Sequence, residues 1–281
     1  MLAPWDDAGA HGLRVVIDLG MQELMCDAER RSLVTQLQLS YADPLRLAVD
    51  AVEKAREPSR RSSSSPPRDV GGVAKSASQR ERASAKADDA LGRFERSPAT
   101  RLLFSSLSGV FESTLANDGG SARWAVRRSA RRFDEAVAEL LGQKKKTRDE
   151  ETGRLARERD SIVVLSPDAD TAFPLHEPLD TARAVYVVGG LCDYRRVAGA
   201  TLRRARDARR RNENERENET VDVVARRLPI EEAFGANASV NILTVNQTVE
   251  ILSRVARNAG DWRAAFVETL PERKLRELRA R

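Results

Sequence analysis

Between Val185 and Arg196 the chain reads VYVVGGLCDYRR, and the residues there able to do chemistry are one acid, Asp193, one thiol, Cys192, and two arginines, Arg195 and Arg196. They follow Gly189 and Gly190, which close the apolar run Ala184 to Val188. Glycines after a buried strand let the backbone approach a ligand closely or take up positive φ, and they equally serve a plain tight turn. The acid behind them can cap a helix beginning near Val197, pair with Arg196, or face a bound molecule. Cys192 would act as a nucleophile only beside a base; no histidine lies near it in sequence, so it reads as a packed thiol.

The elements that must position these residues are those of an alternating α/β chain. Continuous β-branched runs predict buried strands at LRVVID (Leu13 to Asp18), SIVVLS (Ser161 to Ser166) and AVYVVGG (Ala184 to Gly190). RLLFSSLSGVFESTL (Arg101 to Leu115) predicts a strand and then a short helix, and RWAVRR (Arg123 to Arg128) a further strand. Leu24, Leu33, Leu37 and Tyr41 fall at helical spacing, Phe133 to Leu141 is helical, and VAGATLRRARDARRR is a basic helix. VVARRLPI and SVNILTV follow as strand or loop, and Asn246 to Gly260 is an amphipathic helix with a glycine stop. Strands separated by helices predict a mainly parallel sheet covered on both faces. Ligands in such sheets bind beyond the carboxyl ends of the strands, here LSPDAD, GGLCDYRR and ILTVNQ. No G-x-G-x-x-G follows the first strand, which argues against a dinucleotide fold.

Composition sets the bounds. A chain of 281 residues, 41% apolar and 32% charged, can bury a real core and reads as one large or two small globular domains. No apolar run is long enough to span a bilayer, and MLAPWDDAGAHG lacks the pattern of a secretion signal. Two cysteines exclude a disulfide framework, and with only His11 and His176 beside them no metal site is expected. A reducing compartment follows, cytoplasmic or nuclear, with the mitochondrion left open. The net charge is +5, but residues 1 to 52 hold four arginines against eight acids, so the positive charge lies further along. It gathers in ARWAVRRSARR, KKKTR and RRARDARRR, the footprint of a polyanion partner or of solvated helix faces. Glu53 to Pro98 has almost no large apolar residue and reads as a disordered insertion, and Arg206 to Thr220 as a charged loop insertion.

VVIDLGMQELMCDAERRSLVTQL, LLFSSLSG, LSPDAD, VYVVGGLCDYRR, RLPI, ILTVNQTVEIL and DWRAAFVETLPERK occur in this order, in a pattern that closely resembles the tRNA purine-9 N1-methyltransferases of the knotted SPOUT class. The resemblance implies a single SPOUT-like domain with a C-terminal trefoil knot, S-adenosylmethionine as methyl donor, tRNA as partner, and action as a monomer. It implies a cofactor pocket made by Leu165, Gly189, Gly190, Leu228 and Ile242, Leu243 and Thr244, walled by Tyr194, Arg195, Arg196, Val197 and Ala198, with Thr201 nearby. Asp193 falls on the family's acid, proposed as general base. Arg195 stands where asparagine is frequent, and Thr201 where a cysteine is expected. Asp18 and Gln36 also match the family pattern, as contacts to the target base or as residues that order a loop. Phosphate contacts are expected from Arg127, Arg128, Arg196, Arg203 and Arg204. The alternative is a non-catalytic tRNA-binding module on the same fold; retention of Asp193, both glycines and ILT favours the enzyme.

Overall fold

The computed structural model describes residues 12–42, 99–141, 160–192, 197–214, 221–235 and 243–279. The insertion expected at 53–98 therefore lies outside the described residues, as do Asp193, Tyr194, Arg195, Arg196 and Ile242. Among the described residues six strands make one sheet: β1 (Gly12–Asp18), β2 (Ala99–Ser105), β3 (Arg127–Arg128), β4 (Ser161–Leu165), β5 (Ala184–Gly189) and β6 (Asp222–Arg226). Their spatial order is β3-β2-β1-β5-β4-β6, and every pairing is parallel. The helices are α1 (27–42), α2 (Gly109–Gly119), α3 (133–141), α4 (Ala200–Asn214), α5 (Ile230–Phe234), α6 (Val245–Arg257), α7 (Trp262–Thr269) and α8 (Glu272–Arg279).

Alternation along the strands sorts the core into two layers. Val15, Ile17, Phe104, Leu165, Tyr186 and Val188 face α1, α2 and the C-terminal helices; Val16, Leu103, Val164, Val185, Val187 and Val223 face α3 and α4. The central strand β1 is buried throughout, which explains its apolar run from Val15 to Ile17. Its one charged interior residue, Arg14, is 2% exposed and donates to Ala182 O at 2.7 Å. Burial disfavours the Arg14 cation and lowers its pKa from the ordinary arginine value, with the nearby acids Asp160 and Asp180 opposing that.

Three local expectations change. Leu24 sits in a 3-10 turn, Gln22–Leu24, and is 43% exposed, while Leu33 and Leu37 are fully buried on α1. The turn ends before α1 begins, so Leu24 does not share the helix's period. The charged stretch from Arg206 is helical as far as Asn214, because Ala205 and Ala208 bury the inner face of α4 against the sheet. α6 ends at Arg257, with left-handed backbone already at Ala259 (φ 57°) before Gly260 (φ 95°). Gly260 is needed for a second reason: a Cβ there would lie 2.7 Å from the backbone of Glu177.

The connections fix where a ligand can sit. The chain leaves β1 towards β2 on one side, whereas it leaves β5 for β6 on the other, so the two connections diverge between neighbouring strands. Such a switch point leaves a crevice beyond the strand ends. The register aligns Asp18 with both Ser105 and Gly189, and Leu165 with Val188 and Arg226, so these residues border that crevice.

Candidate cofactor cleft and strand-end site

A cleft of about 170 Å³ opens at the carboxyl ends of β4 and β5. Four expected residues line it: Leu165, Gly189, Leu228 and Leu243. Val188, Leu191 and Val245 add to its apolar lining, and Ser166, Thr248, Arg227 and Glu231 add polar groups to it. Ser166 stands in the strand-end segment LSPDAD, whereas Thr248 and Glu231 carry no local signal that separates them from ordinary helix residues. A lining that mixes apolar side chains with a few polar groups suits a small organic ligand that has both apolar and polar parts.

Gly190, Thr244 and Thr201 stand behind this lining and shape it. Gly190 N donates to Asp18 O at 2.9 Å, and a Cβ on Gly190 would come within 2.7 Å of Leu19 and 3.0 Å of that same Asp18 oxygen. At Gly189 a Cβ would meet Thr201 Oγ1 at 2.5 Å, so Thr201 packs on the strand end and does not line the cleft. Thr244 is the N-cap of α6 in a capping box: Gln247 N donates to its hydroxyl at 3.4 Å, and Thr244 N donates to Gln247 Oε1 at 3.2 Å. Val197 and Ala198 stand at the entrance to α4 and do not line the cleft. Gly199 N, with φ 74°, donates to Asp168 Oδ2 at 2.8 Å, tying that entrance to the loop after β4.

Gln36 is an internal clamp. Its amide donates to Cys192 Sγ at 3.1 Å and accepts from Val245 N at 2.9 Å, joining α1 to the end of β5 and the start of α6. The half-buried Cys192 thiol has a raised pKa, first because burial disfavours the thiolate, with hydrogen bonds from Ser32 and Gln36 opposing this. It is a packed, protonated thiol at neutral pH.

The expected phosphate-contacting arginines divide. Arg203 is exposed on α4 beside Arg206, Arg209 and Arg210. Arg127 and Arg128 are half-buried on β3, and Arg128 donates to Ser121 O. Arg204 turns inward and chelates Asp18, with side-chain exposures of 19% and 3% for the pair, and that removes it from the surface set. One residue of helix rotates the side chain by about 100°, which is enough to send Arg203 to water and Arg204 to the crevice.

Among the described residues, no group of three His, Cys, Asp or Glu side chains is placed to hold a metal ion, and no helix is long and apolar enough to cross a membrane.

Comparison with known proteins agrees with this architecture. The chain is 26% identical over 117 residues to a tRNA (guanine(9)-N1)-methyltransferase of Candida albicans, and 30% identical over 118 residues to the protein of that name from Eremothecium gossypii. Each match takes in 42% of this chain but only 31% and 33% of those relatives, so the matched region spans about a third of their length. The crystal structure of full-length spTrm10 in complex with SAH superposes with a TM-score of 0.54 at 19% identity, covering 94% of this chain and 99% of that one, which establishes a shared fold. Residues 93–275 match the family profile described as tRNA (guanine(9)-N(1))-methyltransferase TRM10/TRM10A, a span that contains every lining residue of the cleft and five of the six strands, and the chain belongs to that family.

Proposed function

We propose that this chain transfers a methyl group from S-adenosylmethionine to N1 of guanine at position 9 of tRNA. The observation that carries the reading is the coincidence of the family match with the cleft: residues 93–275 hold all of its lining, placed where a parallel sheet binds ligands. Leu165, Gly189, Leu228 and Leu243 would hold the donor's ring, with Ser166 and Thr248 at its polar groups. When bound, the donor supplies an electrophilic methyl carbon on a sulfonium. The protein's part is to hold the acceptor nitrogen in line with it and to exclude competing geometries.

Guanine N1 carries a proton that must leave, and a carboxylate within hydrogen-bond reach can take it. Asp193 is assigned that role; it follows Cys192 directly, and Cys192 is fixed by Gln36. Adenine N1 already presents a lone pair, so a base at Asp193 favours guanine. tRNA is read as lying across the exposed arginines of α4, with Arg127, Arg128 and Arg196 as further phosphate contacts. A trefoil knot in the C-terminal part, action as a monomer, and a cytoplasmic or nuclear location complete the reading.

Primer extension on transcripts with guanine or adenine at position 9 tests it, because a methyl on the Watson–Crick edge stops the polymerase. The expected result is a stop on the guanine transcript alone. Asp193→Asn should lower the rate by roughly 10²-fold or more while calorimetry shows donor affinity nearly intact. A stop on the adenine transcript alone, or wild-type rates in Asp193→Asn, overturns the assignment.

A further inference from the structure

We infer that Arg204 is a positioning residue that clamps α4 to the ends of β1 and β2, and so sets the helix into which the chain runs after Asp193. The inference rests on the proposed methyl transfer for its kinetic readout, and on geometry for the rest. Arg204 Nε and Nη2 reach the two oxygens of Asp18, the latter at 2.9 Å, and Nη2 also reaches Ser106 Oγ at 3.2 Å. Ser106 Oγ donates to Asp18 Oδ1 at 2.8 Å, and Gly20 N donates to the same oxygen at 3.1 Å. One guanidinium thus joins three segments: the turn after β1, the turn after β2, and α4.

The surroundings are built to receive it. A Cβ on Gly20 would fall 2.3 to 2.9 Å from three guanidinium atoms, so Arg204 lies directly on the Gly20 backbone. Ser106 is in left-handed backbone (φ 54°), a conformation that persists in a non-glycine residue only when its neighbours over-determine it. Besides its bonds to Asp18 and Arg204, Ser106 N donates to Arg131 O at 2.7 Å. The second tether of α4, Gly199 N to Asp168, holds the helix start, and Arg204 holds it one turn later.

This is a different task from that of its neighbours in RRARDARRR. Arg203, Arg206, Arg209 and Arg210 are exposed, whereas swinging Arg204 outward would leave a 3%-exposed Asp18 carboxylate without its cation. The clamp sits at the switch point between β1 and β5, at the edge of the crevice and away from the interior that holds the sheet together.

The experiment uses the full chain with Arg204→Met, Arg204→Lys, Asp18→Asn and the Arg204→Met/Asp18→Asn double variant. It reads single-turnover rate, KM for tRNA, donor affinity by calorimetry, and the salt dependence of tRNA binding. Misplacement of a reacting group by about 1 Å costs on the order of 10²-fold in rate, so Arg204→Met should lose about that much in kcat with KM within about twofold. Arg204→Lys should recover part of the loss, since it restores charge without the bidentate fork. The double variant should be no worse than the poorer single one, because both break the same pair.

A raised KM with kcat intact, together with a salt slope smaller by about one, would make Arg204 a phosphate contact and overturn the inference. Loss that tracks only the folded fraction in all variants would make it a structural pair and also overturn it. Should Arg204→Met fail to fold, Arg204→Lys and Asp18→Asn carry the same comparison. Should the wild-type protein methylate no transcript, the functional reading fails and the clamp is read by amide hydrogen exchange in Arg204→Lys. Faster exchange in residues 18–22 and 200–206 together supports it, and unchanged exchange in both overturns it.

Discussion

Gly189 and Gly190 stand side by side at the end of β5, yet an added methyl group meets different atoms at each. At Gly189 the obstacles are side chains, Thr201 Oγ1 at 2.5 Å and then the flexible end of Met21 at 3.1 Å, whereas at Gly190 they include the backbone oxygen of Asp18 at 3.0 Å. Both alanine substitutions should destabilise by about 1–3 kcal/mol in urea denaturation, the usual range for overpacking. Thr201→Ala should restore most of the loss for Gly189→Ala and none for Gly190→Ala, since a side chain can be trimmed and a backbone carbonyl cannot. The two cysteines allow a second check. Cys26 is exposed, whereas burial raises the pKa of Cys192 above the ordinary thiol value, so less of it is thiolate at any given pH. With iodoacetamide near pH 7.5, mass spectrometry should find Cys26 alkylated about tenfold faster or more, and the rate at Cys192 should still be climbing above the ordinary thiol range.

The start of α6 concentrates several constraints in one turn. Thr244 caps it, Gln247 closes the capping box, Lys274 Nζ from α8 donates to Gln247 Oε1 at 3.2 Å, and Gln36 takes the Val245 amide. Thr244→Ala should cost about 1 kcal/mol of stability by chemical denaturation. Because Leu243 and Val245 line the cleft on either side of the cap, the same variant should weaken donor binding measured by calorimetry. In α4 the exposed arginines recur at helical spacing, so Arg203, Arg206 and Arg210 share one face. Neutralising any one to glutamine should reduce the slope of log affinity for tRNA against log salt by about one, read by fluorescence anisotropy. An unchanged slope in all three would make the face an ordinary solvated one.

At the scale of the whole molecule, β1 and β2 are parallel neighbours in full register from Gly12 and Ala99 to Asp18 and Ser105, so the chain must return along the sheet between them. α1 makes most of that return, and after it the ten residues 43–52 could span about 33 Å if extended. That exceeds the length of a seven-residue strand such as β2, about 23 Å. Removal of residues 53–98 should therefore leave the sheet intact. The expected result is a cooperative thermal transition within a few degrees of the full chain, because shortening a long loop changes closure entropy only slowly. A transition lowered by more than about 10 °C would show that this stretch packs on the fold.

Strands β1, β4 and β5 were legible in the sequence because burial on both faces demands apolar runs, and Val15 to Ile17, Ile162 to Leu165 and Ala184 to Gly189 supply them, whereas β3 keeps only Arg127–Arg128 of the strand expected over Arg123 to Arg128. The cleft was legible in its first half for the same reason: Leu165 and Gly189 end two of those runs, and Leu228 and Leu243 follow from the family pattern. What the tertiary structure alone decided was which charges meet. Arg203 and Arg204 are indistinguishable as neighbours in a basic run, but the partner of Arg204 is Asp18, 186 residues away. Gln36 reads as a contact to the target base or a loop-ordering residue, and only the packing of α1 against β5 and α6 brings it to Cys192 and Val245. Periodicity records which face of an element is buried; it carries no information about which distant element will cover that face. Pairings between side chains on different elements are therefore settled only when the sheet order β3-β2-β1-β5-β4-β6 brings the strand ends together.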